Sequence, residues 1–134
     1  MNALPMIGAA SGTAVDTAAD GVVWFRAARV DAFPSDGGAC VLAGTLQIAV
    51  FNFARRGEWY ASQNRCPHRH QMVLSRGLLG SVDGSPKVAC PLHKTTFSLE
   101  TGECLSADVE PLRLYPVRVT DGWVFVGLPA DALV

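Results

Sequence analysis

The sequence predicts an all-β fold, an antiparallel sandwich or barrel, and three observations predict it. Short runs rich in Val, Ile, Phe, Tyr and Trp recur along the chain, turns containing glycine separate them, and nothing between residues 38 and 127 reads as a long helix. The chain has 134 residues, which suits one domain and leaves no room for two. With 49% apolar residues it can build a core without disulfide staples.

The elements follow in order. Residues 1–20 carry no Lys or Arg and no sustained period, and are expected to form a disordered tail. "GVVWFRAARV", from residue 21, opens the first strand of a domain expected over 21–129, with 130–134 as a C-terminal tail. "ACVLAG" and "LQIAVFNFA" flank Gly44–Thr45, which reads as a hairpin turn. Arg55–Arg56–Gly57 then turn the chain into "EWYASQN". "KVAC" and "TTFSL" are short strands, and "TGEC" is the turn after them. "GLLGSVDGSP", residues 77–86, reads as a Gly/Ser loop. "LRLYPVRV" and "WVFVG" form a hairpin about Thr120–Asp121–Gly122.

Composition excludes several roles. The formal net charge is −1 and charged residues are 17%, which is no phosphate-binding surface, so nucleic acid is not expected as a partner. No apolar run approaches the roughly 18 residues that span a bilayer. The N-terminus lacks the basic region of a secretory signal, so a soluble, cytoplasmic protein without a membrane partner is expected. In that compartment the four cysteines point to metal, chemistry or packing rather than disulfides.

Two segments carry the chemistry. "NRCPHRHQ", residues 64–71, sets Cys66 two positions before His68. "ACPLHKTT", residues 89–96, sets Cys90 three positions before His93. Each arm offers a soft thiolate and an imidazole, and the proline after each cysteine stiffens its loop. A structural zinc site also uses two Cys and two His, but its usual arms are Cys-x2–4-Cys and His-x3–5-His, whereas each arm here is mixed. A Cys/His nucleophile pair leaves the second copy unexplained. In a Rieske centre two cysteines hold one iron and two histidines the other, so each loop supplies one of each, as both do here.

The pattern Cys66-x-His68 followed by Cys90-x-x-His93 resembles the Rieske [2Fe–2S] family. Within it, "VLSRGLLG" (73–80), "PKVACPLHKTTFSLETGEC" (86–104) and "VEPLRLYPVRVTDGWVFV" resemble the small subunit of assimilatory NAD(P)H-dependent nitrite reductase. The resemblance covers roughly residues 21–128. It implies a Rieske-type sandwich with a two-loop cluster-binding subdomain at about 64–97. It implies Cys66 and Cys90 as ligands of the inner iron, and His68 and His93 of the outer. It also implies an electron-transfer role beside a large subunit carrying flavin (FAD), a [4Fe–4S] cluster and sirohaem, in which nitrite is reduced to ammonium. The small subunit is then part of an enzyme with no catalytic residue of its own. The alternatives are a freestanding Rieske ferredoxin that feeds a ring-hydroxylating oxygenase, and a zinc-stapled binding module.

Other residues are expected to be ordinary. His70 reads as a solvent-facing loop residue rather than a further ligand. Cys40 and Cys104 read as buried structural thiols. Trp24, Trp59 and Trp123 read as core. Arg55–Arg56 reads as a solvated turn. The basic side chains Arg65, Arg69, Arg76, Lys87 and Lys94 surround the motif against one acid, Asp83, which suits either a mixed surface or an acidic docking face. High-potential Rieske centres carry an extra cysteine in each loop, a hydroxyl residue and a tyrosine. Here Leu92 stands at the second-loop cysteine, Thr95 keeps the hydroxyl, and Phe97 replaces the tyrosine. Fewer donors imply a lower-potential, ferredoxin-type centre.

Overall fold

A computed structural model describes residues 14–17, 22–68 and 70–129. Among them the chain forms eleven strands in three antiparallel sheets, with two three-residue 3₁₀ turns and no longer helix. The strands are β1 (Ala14–Thr17), β2 (Val22–Arg29), β3 (Gly37–Ala43), β4 (Leu46–Phe53), β5 (Glu58–Gln63), β6 (Leu78–Val82), β7 (Ser85–Ala89), β8 (Thr96–Ser98), β9 (Leu114–Tyr115), β10 (Val117–Thr120) and β11 (Trp123–Pro129). The sheet orders are β1-β2-β11-β10, β3-β4-β5-β9 and β6-β7-β8. Among the described residues no helix is long and apolar enough to cross a membrane.

The layering follows from side-chain alternation. On β2 and β11, Phe25, Ala27, Val124 and Val126 point one way and meet Val41, Ile48, Val50 and Ala61 of the second sheet in one buried core. The opposite face of β4 presents Ala49, Phe51 and Phe53 to a second core, with Leu74, Val88, Phe97 and Leu99. The second sheet is therefore the middle layer, apolar on both faces, and its strand β4 reads as a near-continuous apolar run. Full burial of Phe51 and Phe97 contributes about 1.5–3 kcal/mol each. The four cysteines form no disulfide, so no covalent staple holds the layers together.

The structure corrects four expectations. Residues 77–86 are not a loop: β6 and β7 form a hairpin, with Val82 paired to Ser85. Asp83 and Gly84 make the turn at φ 51° and 81°, the mirror-image turn that matches strand twist. The Asp-Gly signal was present in the sequence, but the glycines and serines around it masked a strand pair. "LRLYPVRV" is not one strand. Pro116 has no N–H to give a ladder, so the chain leaves the second sheet after β9 and joins the first at β10. The Pro116 carbonyl accepts the Gly127 N–H at 2.8 Å, which fixes that corner.

The tryptophans divide. Trp59 stands edge-on to Phe33 against the first core. Trp24 and Trp123 lie on the outer face of β2 and β11 because their neighbours face inward. The guanidinium of Arg118 covers Trp24 at 4.4 Å and that of Arg26 covers Trp123 at 4.6 Å. Lastly, β1 pairs with β2 inside the span expected to be a tail. The rest of 1–20, and 130–134, lie outside the described residues.

Candidate metal centre

The two motif loops share one backbone frame. In the first, the Cys66 N–H donates to the Gln71 carbonyl at 2.8 Å and the His70 N–H to the Cys66 carbonyl at 2.6 Å. In the second, the Cys90 N–H donates to the Thr95 carbonyl and the Lys94 N–H to the Cys90 carbonyl, each at 2.8 Å. His70 and Lys94 both adopt left-handed backbone, at φ 61° and 59°. Cys66, Pro67, His70 and Gln71 thus map onto Cys90, Pro91, Lys94 and Thr95. The unequal Cys–His spacing is then a choice of slot within equal loops. His68 takes the slot of Leu92, and His93 takes the slot that Arg69 holds in sequence.

That frame sorts the four side chains by depth. Cys66 is 0% exposed and Cys90 1%, and both lie in the second core beside Phe97 and Val88. His68 is half-buried and His93 is exposed. Their rings stand edge to face, with centroids 5.5 Å apart. The two thiols are therefore the buried members of the set and the two imidazoles the more exposed ones. Among the described residues no group of three or more His, Cys, Asp and Glu side chains is gathered about one point. A two-iron cluster takes a pair of ligands at each iron, and a buried pair of thiols with a more exposed pair of imidazoles is the donor set of that kind. The Thr95 hydroxyl is buried and lies 3.2 Å from Nδ1 of His68, a contact across the loops that the sequence did not reveal.

The remaining residues fall into place. His70 is exposed, and its left-handed backbone is its distinguishing feature, in keeping with a surface role. Leu92, at 51% exposure, and Lys94 are exposed beside His93, whereas Pro67 is buried and adds nothing to that surface. Arg69 lies outside the described residues. Arg55 and Arg56 do form an exposed turn, but each meets an acid, Asp36 at 3.5 Å and Glu58 at 3.1 Å. Cys104 is half-buried, not buried, and bridges Phe97. Cys40 is buried among Gln47 and Asn64, and burial pushes its thiol pKa up, which keeps it protonated. The residue that sequence reasoning missed is Asn64, buried two positions before Cys66 and bonded to Gln47 and Ser75.

Comparison with known proteins agrees with this geometry. Residues 23–127 match the family of Rieske-like [2Fe–2S] domains. The nitrite reductase (NADH) small subunit of Escherichia coli K12 is 34% identical over 101 residues, covering 75% of this chain and 94% of that protein. The solution structure of the E. coli protein NirD superposes with a TM-score of 0.70 at 32% identity, covering 78% of this chain and 96% of that one. A 3-phenylpropionate/cinnamic acid dioxygenase ferredoxin subunit from Photorhabdus laumondii is 38% identical, covering 68% of this chain and 82% of the relative. Nitrite reductase [NAD(P)H] of Emericella nidulans is 35% identical across 79% of this chain, which spans only 10% of that longer protein.

Proposed function

This chain belongs to the Rieske-like [2Fe–2S] domain family, and on that premise we propose that it is the electron-transfer small subunit of an NAD(P)H-dependent nitrite reductase. Cys66 and Cys90 would hold the inner iron of its cluster and His68 and His93 the outer. When bound, the cluster supplies one-electron transfer. The chain's own residues do the rest. The second core keeps water from the sulfurs, Thr95 steadies the His68 ring, and the exposed His93 edge with Leu92 and Lys94 offers a contact surface. The partner is a large subunit with flavin, [4Fe–4S] and sirohaem, where nitrite becomes ammonium.

One observation carries the reading. The same domain-sized match covers 94% of a separate small subunit and 10% of a much longer nitrite reductase chain. A domain met both beside and inside one enzyme works with that enzyme. The ferredoxin reading rests on the dioxygenase relative, which matches less of the chain.

The test begins with protein isolated from its host without exposure to oxygen. Iron and acid-labile sulfide should be present at about two of each per chain, with a Rieske-type EPR signal on reduction. Recombined with the large subunit, the chain should restore NAD(P)H-driven nitrite reduction. Stoichiometric zinc without sulfide removes the cluster. A loaded chain that supports a ring-hydroxylating oxygenase and not nitrite reduction establishes the ferredoxin reading instead.

A further inference from the structure

The two loops are alike within themselves and unlike at their bases. Below the second loop the ladder continues: Ala89 pairs Thr96, Val88 pairs Phe97 and Lys87 pairs Ser98. Below the first, Arg65 pairs Met72 in one isolated bridge, and the ladder stops. Beyond it the chain enters a 3₁₀ turn over Leu74–Arg76 instead of a strand that could carry the pairing on. The loop that bears Cys66 and His68 must be held by something else.

Asn64 occupies that place. It is 2% exposed and two residues from Cys66. Its carbonyl accepts the Leu74 N–H at 3.1 Å, and its side-chain oxygen accepts the Ser75 N–H at 2.8 Å. Its amide nitrogen donates to Gln47 Oε1 at 2.9 Å, and its backbone N–H to the Gln47 carbonyl at 3.3 Å. One residue therefore ties the outgoing end of the loop to the incoming end, and both to β4 of the middle sheet. A buried amide satisfied at both ends is rigid, and losing it strands a buried backbone N–H. A serine or alanine reaches neither partner.

We infer that Asn64 is a positioning residue, a side-chain clasp that replaces the missing ladder and fixes Cys66 and His68 for the cluster. The inference rests on the cluster reading above, but the clasp itself can be tested without metal. Amide hydrogen exchange is measured on the full chain for the parent, Asn64→Ala, Gln47→Ala and Val126→Ala, the last a cavity in the distant first core. Asn64→Ala should speed exchange at Cys66, His70 and Ser75 by about tenfold or more and leave Cys90 and Lys94 at parent rates. Gln47→Ala, which removes one bond of the clasp, should give a smaller change at the same amides. It decides the matter if Asn64→Ala does not fold. In iron-loaded protein, Asn64→Ala should release iron to a chelator at least about tenfold faster and broaden the reduced EPR signal. Val126→Ala should lower the melting temperature without either effect. Parent exchange rates at Cys66 and His70 in Asn64→Ala, or equal acceleration in both loops, overturns the clasp. A parent that takes up no iron and sulfide overturns the cluster reading alone. Iron release no faster than the parent's, with selective exchange intact, overturns the link between clasp and cluster.

Discussion

Thr95 Oγ1 lies 3.2 Å from Nδ1 of His68, so the second loop reaches the imidazole of the first. This hydroxyl stands at the position where the resemblance places the hydroxyl residue of high-potential centres. Thr95→Val keeps the shape and removes it. The reduction potential should fall on the order of 50 mV, because a hydroxyl donor favours the more negative, reduced form. Potentiometric titration measures the change, and a potential that stays level or rises refutes the donor role.

Cys66 and Cys90 are fully buried, so a serine there offers iron a poor ligand and leaves a hydroxyl in the core. Either Cys→Ser variant should contain no iron or sulfide. His70→Ala should keep both. His70→Gly should also gain about 0.5–1 kcal/mol, because glycine accepts φ 61° freely and keeps the N–H that closes the loop. Urea midpoints and iron assays on the four variants decide. Bleaching by His70→Ala would reassign the first loop.

Gly102 and Gly44 both have positive φ, yet they should respond differently to alanine. A Cβ on Gly44 meets nothing within 4 Å, so Gly44→Ala should lose about 1 kcal/mol from the backbone alone. A Cβ on Gly102 would collide with the Leu112 carbonyl, and the Gly102 carbonyl itself accepts the Leu112 N–H at 2.8 Å. Gly102→Ala should therefore lose roughly 2 kcal/mol or more. Equal denaturation midpoints for the two variants contradict this.

The chain has two tyrosines, Tyr60 and Tyr115, and burial is the main cause that raises both pKa values. Tyr60 is pushed from 10.0 up to about 12, helped by its 2.8 Å hydrogen bond to Glu58. Folding therefore holds protons that the unfolded chain releases near pH 10. The resulting stability is fully present below that pH and is lost as pH rises through the folded values. The folded protein should show little tyrosinate absorbance at pH 10, whereas urea-unfolded chain shows it. Half-ionisation of Tyr60 at pH 10 in folded Tyr115→Phe protein overturns the assignment.

The chemistry was more legible than the architecture around it. Four ligand-type residues in two short mixed arms announce themselves locally, and so do the hairpins at Gly44–Thr45 and Asp121–Gly122. What remained hidden depends on partners distant in sequence. Pro116 redirects a strand between sheets only because β5 and β11 lie on either side of it. Trp24 and Trp123 look like core until the inward direction of Phe25 and Val124 is known. Asn64 is one polar residue among many until Gln47 and Ser75 are seen around it.

The double-sided burial of β4 has a consequence for how the protein can be divided. A strand with one wet face could lose its neighbours on that side and stay soluble. β4 is a party wall: Ile48 and Val50 furnish one room, and Phe51 and Phe53 the other. Cutting out the loop-bearing portion would open the second room to water as a sticky apolar surface. The sandwich and the portion that carries the motif therefore stand or fall as one cooperative unit, and no smaller fragment inherits the centre.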